Sequence, residues 1–531
     1  MRLLPLLLLS VLGAWADHAR AERINHEGRI LGEIPPPLTG PLLFNTQEAD
    51  AVLAGLQILP RDNAWNERID NRPLLTNSAA MISQIISDLA SDRRTLRPFY
   101  EMNYVLVPDS QPAPPIAFVD YPDESDLDGG TAPNGLYPIP DNLPVETWPR
   151  GTSTLTLQQW QQDVNGTGGD RHSIIVKPGA GSIWETWQTL RAGTAWQASN
   201  GAKFPLNSNA LRPAGWTSAD AAGLSMFSGL VRYDECARGM VEHAIRLVVR
   251  RTRRTYIYPA THFASTLTGA NYPAMGQRLR LKANFTIPET WTIHEKAVCK
   301  ALKKYGAIVA DNGGFFSISV APDDRFPGTA FDHLSTIGIS NFEVIETTGP
   351  SEGPRAPGAP GANAGADQFI PWGASTTLAG SVTDPDAPQT PLSVQWSKYD
   401  GPGAVTFANA TAAQTTASFG LPGRYTLMLK ADDGIHTPAY DAVIVQAGFQ
   451  HEILRSGNNI IVRFPSLLGR QYRVERATAI ATTAWAILAD YVPGTGNPVQ
   501  IMDSNALAAG QRFYRVTVLP GAAAAPRRVR R

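Results

Sequence analysis

The stretch TTGPSEGPRAPGAPGANAG, Thr347 to Gly365, holds no side chain that can anchor a core. So much proline and glycine makes an extended, semi-rigid spacer. It cuts the 531-residue chain into parts that must each bury their own apolar faces. A chain of this length divides into roughly two to four domains. The divisions that follow are 22–349 for a β-rich candidate functional domain, 350–362 for the linker, 363–447 and 448–520 for two smaller β-modules, and 521–531 for a disordered basic tail.

Past the spacer the pattern is short alternating strands. STTLAGSVTDPD is a strand closed by an Asp-Pro-Asp turn. Val394 and Trp396 share one face of LSVQWSKYDGPG, and Tyr425, Leu427 and Leu429 share one face of GRYTLMLKADDG. Strands of this length, with turn signals between them, predict a β-sandwich. The segments ANAGADQ, LAGSVTDPD, QWSKYDGPGAVTF and GRYTLMLKADDG resemble PKD-type, Ig-like domains of secreted bacterial proteins. That resemblance implies a spacer or accessory module, of the kind found beside polysaccharide-degrading enzymes. From Phe449 to Leu519, NNIIVRFPSLLGRQYRVERA and QRFYRVTVL resemble the small C-terminal β-sandwich modules of exported bacterial proteins. Arg470, Arg473 and Arg476 read there as a solvated face.

The first residues, MRLLPLLLLSVLGAWADHARAE, have a basic Arg2, an apolar run from Leu3 to Leu12 and small-residue cleavage sites ending at Ala16 and Ala21. This is the pattern of a signal peptide over 1–21; the apolar run is shorter than the ~20 residues of a membrane span. The expectation is a secreted or cell-surface protein without a membrane span. The net charge of −1 argues against nucleic acid as the main partner, which requires a basic excess. Cys236 and Cys299 are the two cysteines. Export permits a disulfide between them, and two separate buried thiols fit equally well.

Residues 22–349 are the part large enough to enclose a deep site. SAAMISQIISDLA and TIHEKAVCKALKKYG have helical periodicity; in the second, Ile293, Ala297, Ala301 and Tyr305 form one stripe and Gly306 ends it. YVLVP, IAFVDY, RHSIIVKP, SIWETWQ, EHAIRLVV, RLRLKANF, AIVADNG and FFSISVA read as strands. The expected fold is mainly β: a β-sandwich or jelly-roll with one or two packed helices, then the Ig-like sandwich and a small C-terminal sandwich. GDRHSIIV, NALRPAGWTSADAAGL, GLVRYDE, EHAIRL, TRRTYIYPATHFAS, MGQRLRLKANF and ALKKYGAIVADNGG, spread over Asp170 to Gly314, resemble a family of exported bacterial proteins. The resemblance implies glycan work only through the modules that accompany such chains.

Candidate chemistry starts with histidines. His172 shares a strand face with Ile174 and Val176, and His243 with Val241, Ile245, Leu247 and Val249. An unpaired imidazole on such a face is costly, so either both are satisfied core histidines or they converge with a carboxylate and with His262, from the loop after YPAT. Asp170 can share the His172 face, and Asp220 or Glu185 is the candidate partner carboxylate. Without HxH or HExxH spacing, acid/base use is favoured over metal binding. Glu185 lies between Trp184 and Trp187, which either line a sugar subsite and raise its pKa or pack a core.

The Gly- and Pro-punctuated connection RPAGWTSADAAGL delivers Arg212, Trp216 and Asp220 beside the His243 strand, with Ser218 capping one turn. The expected set is therefore His172, His243, Glu185 and Asp220 as catalytic groups and Arg212, Trp216, Trp184 and His262 for substrate. No metal ligand set or cofactor is assigned, although the acidic loop DYPDESD (Asp120, Asp123, Glu124, Asp126) has oxygens suited to Ca²⁺. The basic run Arg250, Arg251, Arg253, Arg254 is either a charged turn or a site for uronate or sulfated sugar. Two functional classes remain: a polysaccharide hydrolase or lyase working by general acid/base catalysis, or a non-catalytic glycan-binding or adhesion protein.

Overall fold

The structure is a computed structural model that describes residues 22–150, 154–386, 391–479, 484–509 and 511–519. The expected signal peptide and basic tail lie outside the described residues. The chain is mainly β, with 33% strand against 14% helix.

The N-terminal part is built on two large sheets. The first runs Phe342–Val344, Arg278–Leu281, Ala307–Asn312, Ile245–Val249, Phe316–Val320, Leu96–Tyr100. It is mixed: Ile245–Val249 is parallel to Ala307–Asn312, and Phe316–Val320 to Leu96–Tyr100. Parallel neighbours require crossovers that cover the sheet. The helix Ile293–Lys304 lies in one of them, between Arg278–Leu281 and Ala307–Asn312. Thr292 and Glu295 close a capping box at its start, and Gly306, at φ +71°, follows its end. Ala297, Ala301 and Tyr305 are buried as the stripe predicts, while Ile293 is exposed. The helix Ser78–Ser87 adds Met81, Ile82 and Ile85 to the same core, where Ile245, Leu247 and Val249 also lie. Cys236 and Cys299 are both buried there as free thiols.

All five residues of Ile245–Val249 are buried, so Arg246 is enclosed as thoroughly as its apolar neighbours. The strand starts at Ile245; His243 stands before it rather than on its period-two face.

The second sheet runs Leu42–Leu43, Val105–Leu106, Ser173–Lys177, Ser182–Trp187, Asn200–Pro205. Ile174, Val176 and Ile183 fill one core, and Ile175 and Trp184 another, as strand alternation requires. The connection 206–231 packs Ala219, Met226, Phe227 and Leu230 into the first of these cores. Its turn forms where Ser218 Oγ accepts the Asp220 N–H at 2.9 Å and Gly223 N–H reaches the Asp220 carbonyl at 3.0 Å. Gly223 has φ +72°, and a Cβ there would fall 2.0 Å from Thr261 Oγ1, so only glycine fits.

The 363–447 module is a sandwich. Gln368–Pro371, Ala439–Gly448, Gly423–Asp432 and Ser393–Asp400 form one sheet, and Thr376–Ala379, Gln414–Phe419 and Val405–Phe407 the other. Trp396, Tyr425, Leu427 and Leu429 fill its core. The Tyr425 hydroxyl donates to the Leu421 carbonyl at 2.6 Å, in the manner of a tyrosine corner. Two three-stranded sheets follow, and their Val462, Phe464, Tyr472 and Val474 continue that core. The Pro/Gly stretch is fastened in its first half: Thr348 donates to Glu67 at 2.8 Å, and Arg355 stacks over Tyr258. His436 donates from both ring nitrogens, to Asp433 Oδ2 and to the Ala356 carbonyl, each at 2.6 Å.

Candidate functional site

The polar face of the mixed sheet meets the second sheet at a connected cluster of charges. Arg246 lies at its base, 2% exposed. Its Nε and Nη2 each donate to Asp220 at 2.8 Å. Nη2 also reaches Asp311 at 3.0 Å, and Nη1 reaches Ser319 Oγ at 3.0 Å. Ser319 in turn donates to Glu101 Oε1 at 2.6 Å, placing that oxygen 4.0 Å from Nη1. Glu101 follows the edge strand Leu96–Tyr100, and Asp311 lies near the C-terminal end of Ala307–Asn312. Different strands thus bring two carboxylates to one guanidinium.

These two are the exposed members of the cluster, with side chains 22% and 26% accessible. Desolvation pushes Glu101 up to about 7; Arg246 and the Ser319 hydrogen bond oppose it and nearby Glu146 adds to it. Desolvation also pushes Asp311 up to about 6 against the pull of Arg246, and Asp220 adds to the rise. Two carboxyl groups pushed up toward neutral pH, held at the two ends of one guanidinium and in contact with solvent, are equipped for acid/base work.

His172 borders the same cluster. Its Nδ1 donates to Glu146 at 2.9 Å and its Nε2 to the Ala219 carbonyl at 3.0 Å. Burial alone would lower the imidazole, but the charge of Glu146 and their hydrogen bond raise it to about 9. With both nitrogens donating, this is an imidazolium that fixes the loop next to Asp220. Asp170, expected on the His172 face, accepts from Trp187 Nε1 at 3.4 Å. His262 Nδ1 donates to the Ala221 carbonyl at 2.8 Å, on the far side of the same turn. The structure therefore brings His172, Asp220 and His262 to one place.

The other expected residues lie elsewhere. His243 pairs with Glu235 at 3.1 Å beside Arg232, in a separate small polar pocket it shares with His26 and Glu242. Glu185 is fully buried and accepts from Ser225 Oγ, Met226 N and Phe227 N at 2.8–2.9 Å. Burial pushes it up to about 7, yet its oxygens serve to anchor the turn at 225–229. Trp184 is 4% exposed and donates to Asp128 at 2.8 Å. Arg212 binds the Thr217 and Glu124 carbonyls and Asp126, with its guanidinium 5.6 Å from the Trp216 ring. This pins the 212–224 connection to the acidic loop. Three of the four carboxylates of that loop go to separate partners: Asp120 to Ser199, Glu124 to Thr217 N, Asp126 to Lys203 N and Arg212.

Sequence reasoning missed Arg246, Glu101, Asp311 and Glu146. The signal available was a charged residue inside or just beyond an apolar strand: HAIRLVV, RPFYE and IVADN.

A family model of the PKD domain matches 364–446. Residues 364–446 are a PKD domain. A solved structure titled "Solution structure of the PKD domain from KIAA 1837 protein" is 26% identical and covers 21% of this chain and all of that one, with a TM-score of 0.13. The "Secreted serine protease VesC from Vibrio cholerae" is 8% identical over 34% of this chain and 50% of that one, with a TM-score of 0.14. No curated protein matches the chain. Beside the PKD domain, no helix among the described residues is long and apolar enough to cross a membrane.

Proposed function

We propose that the chain is an exported, carbohydrate-active hydrolase whose N-terminal part cleaves a polysaccharide with Glu101 and Asp311. One observation carries the reading: two solvent-touching carboxyl groups, Glu101 and Asp311, flank the guanidinium of Arg246, and desolvation pushes them up, to about 7 and about 6. Glycoside hydrolysis needs one carboxylic acid and one carboxylate. Protonated Glu101 gives its proton to the departing glycosidic oxygen. Ionised Asp311 takes a proton from water as the water oxygen bonds to the anomeric carbon. Arg246 stays cationic and holds both groups, and the His172–Glu146 pair holds the Ala219–Asp220 turn in register. The PKD domain and the signal pattern fit work on an extracellular polymer.

The test is release of reducing ends from a polysaccharide panel by the full chain and by Glu101→Gln and Asp311→Asn. Each variant is expected to lose at least about a hundredfold in rate, the usual scale for a general acid or base. Full turnover in both variants overturns the reading. Binding without cleavage by the unaltered chain gives the adhesion alternative.

A further inference from the structure

We propose that the site takes an anionic polysaccharide, one bearing carboxylate or sulfate groups, whose chain crosses an arginine strip beside Asp311. This rests on the hydrolase reading for what happens to the polymer, but not for what binds.

Strand register locates the strip. Val248 pairs with Asp311 and Val249 with Asn312, so the loop from Arg250 to Arg254 leaves the sheet within two residues of the candidate carboxylate. Arg250, Arg251 and Arg254 are exposed and Arg253 is half-buried. Among the described residues no carboxylate pairs with Arg250, Arg253 or Arg254, and Arg251 has Asp88 at 3.6 Å. Arg253 Nε is buried without a hydrogen-bond partner. Arg93 borders the strip, donating to the Gly314 carbonyl at 3.3 Å, next to the Gly313 N–H that binds Val249 O at 2.9 Å. In a chain of net charge −1, this concentration of guanidinium groups, three of them without a carboxylate partner, is local. Such forks match carboxylate and sulfate oxygens in pairs.

A second observation separates a sugar polymer from a generic polyanion. Next along the chain from the strip comes a ladder of three near-parallel rings: Tyr256 and Phe263 with centroids 6.5 Å apart at 17°, then Phe263 and His262 at 5.8 Å and 7°. All three are half-buried. Asn312 Nδ2 donates to the Ala264 carbonyl at 3.0 Å, which ties the ladder to the residue after Asp311. Flat apolar faces next to cationic forks suit a pyranose ring whose faces carry C–H groups and whose rim carries the negative charge. Nucleobases would also stack, so nucleic acid is an outcome of the test.

Binding is measured by affinity electrophoresis of the full chain in polygalacturonate, dextran sulfate, neutral dextran and a single-stranded oligonucleotide. Retardation is expected in polygalacturonate or dextran sulfate and not in neutral dextran; which one retards identifies the anionic group as carboxylate or sulfate. Arg250→Ser/Arg254→Ser, and separately Arg254→Glu, should weaken that binding at least tenfold. No binding to either acidic polymer, equal binding to neutral dextran, undiminished binding by both arginine variants, or tighter binding to the oligonucleotide overturns the inference. Acidic-polymer binding without cleavage leaves it standing while the hydrolase reading falls. Cleavage of a neutral glycan without acidic-polymer binding does the reverse.

Discussion

Arg246 and Asp220 form a two-pronged ion pair with both contacts at 2.8 Å and side-chain exposures of 2% and 0%. The pair joins the middle of the mixed sheet to the connection that carries the Asp220 turn. Removing one partner of a buried pair costs about 3–5 kcal/mol where the other charge is left stranded; here Asp311, 3.0 Å from Nη2, stays to offset part of that. Asp220→Ala should therefore lower the unfolding free energy of the N-terminal part by up to that amount, read from the denaturant midpoint. A loss below about 1 kcal/mol would show that Asp311 and Glu101 compensate Arg246 without Asp220.

Glu146 and His172 make stability depend on pH in a defined direction. The folded imidazole titrates near 9 against its ordinary 6.5. Its stabilisation, no more than about 3 kcal/mol at about 1.4 kcal/mol per pH unit, is complete below pH 6.5 and disappears as pH rises through 9. Glu146 is held below its ordinary value by His172, despite burial acting the other way; its share is present above pH 4.5 and is lost as pH falls through the lowered value. Glu146→Gln should flatten the decline in stability between pH 6.5 and 9. Urea unfolding at several pH values decides it: an unchanged slope in the variant removes the pair from the account.

Cys236 and Cys299 sit in one core without a bond between them. Burial pushes both thiols up, Cys299 to about 12, so neither forms an accessible thiolate at neutral pH. A thiol-reactive chromogen should find none in the native protein and both after denaturation without reductant. Absence of reaction in the denatured protein would mean a disulfide.

How much of this was legible in the sequence depends on the range of the signal. The helix Ile293–Lys304 was readable because its stripe and Gly306 lie within fifteen residues of one another. The strands and the PKD domain were readable because alternation and turn chemistry are local. The parallel pairings were not, since register between Ile245–Val249 and Ala307–Asn312 is set by a crossover that leaves no mark on either strand. Arg246 occupies the outward position of an alternating strand, yet both faces of that strand are covered. His243 misleads for a related reason: it precedes the strand and turns to Glu235 in a one-turn helix. Glu101 and Asp311 sit far apart in sequence, and only the fold brings them to one guanidinium.

That juxtaposition determines the form of the pH–rate profile. Asp311 titrates near 6 and acts ionised, so the rate should fall as pH drops below about 6. Glu101 titrates near 7 and acts protonated, so the rate should fall again as pH rises above about 7. The outcome is a narrow bell for kcat/KM with its maximum between these values. The acidic limb carries the charge of Asp220 as well, which adds to the rise at Asp311. Replacing Asp311 by asparagine should abolish the acidic limb in whatever activity remains, and Glu101→Gln the alkaline one. His172, already cationic through this range, should contribute no limb below pH 8. A profile flat from pH 5 to 8, or an acidic limb that survives in Asp311→Asn, would move the chemistry away from these two carboxylates.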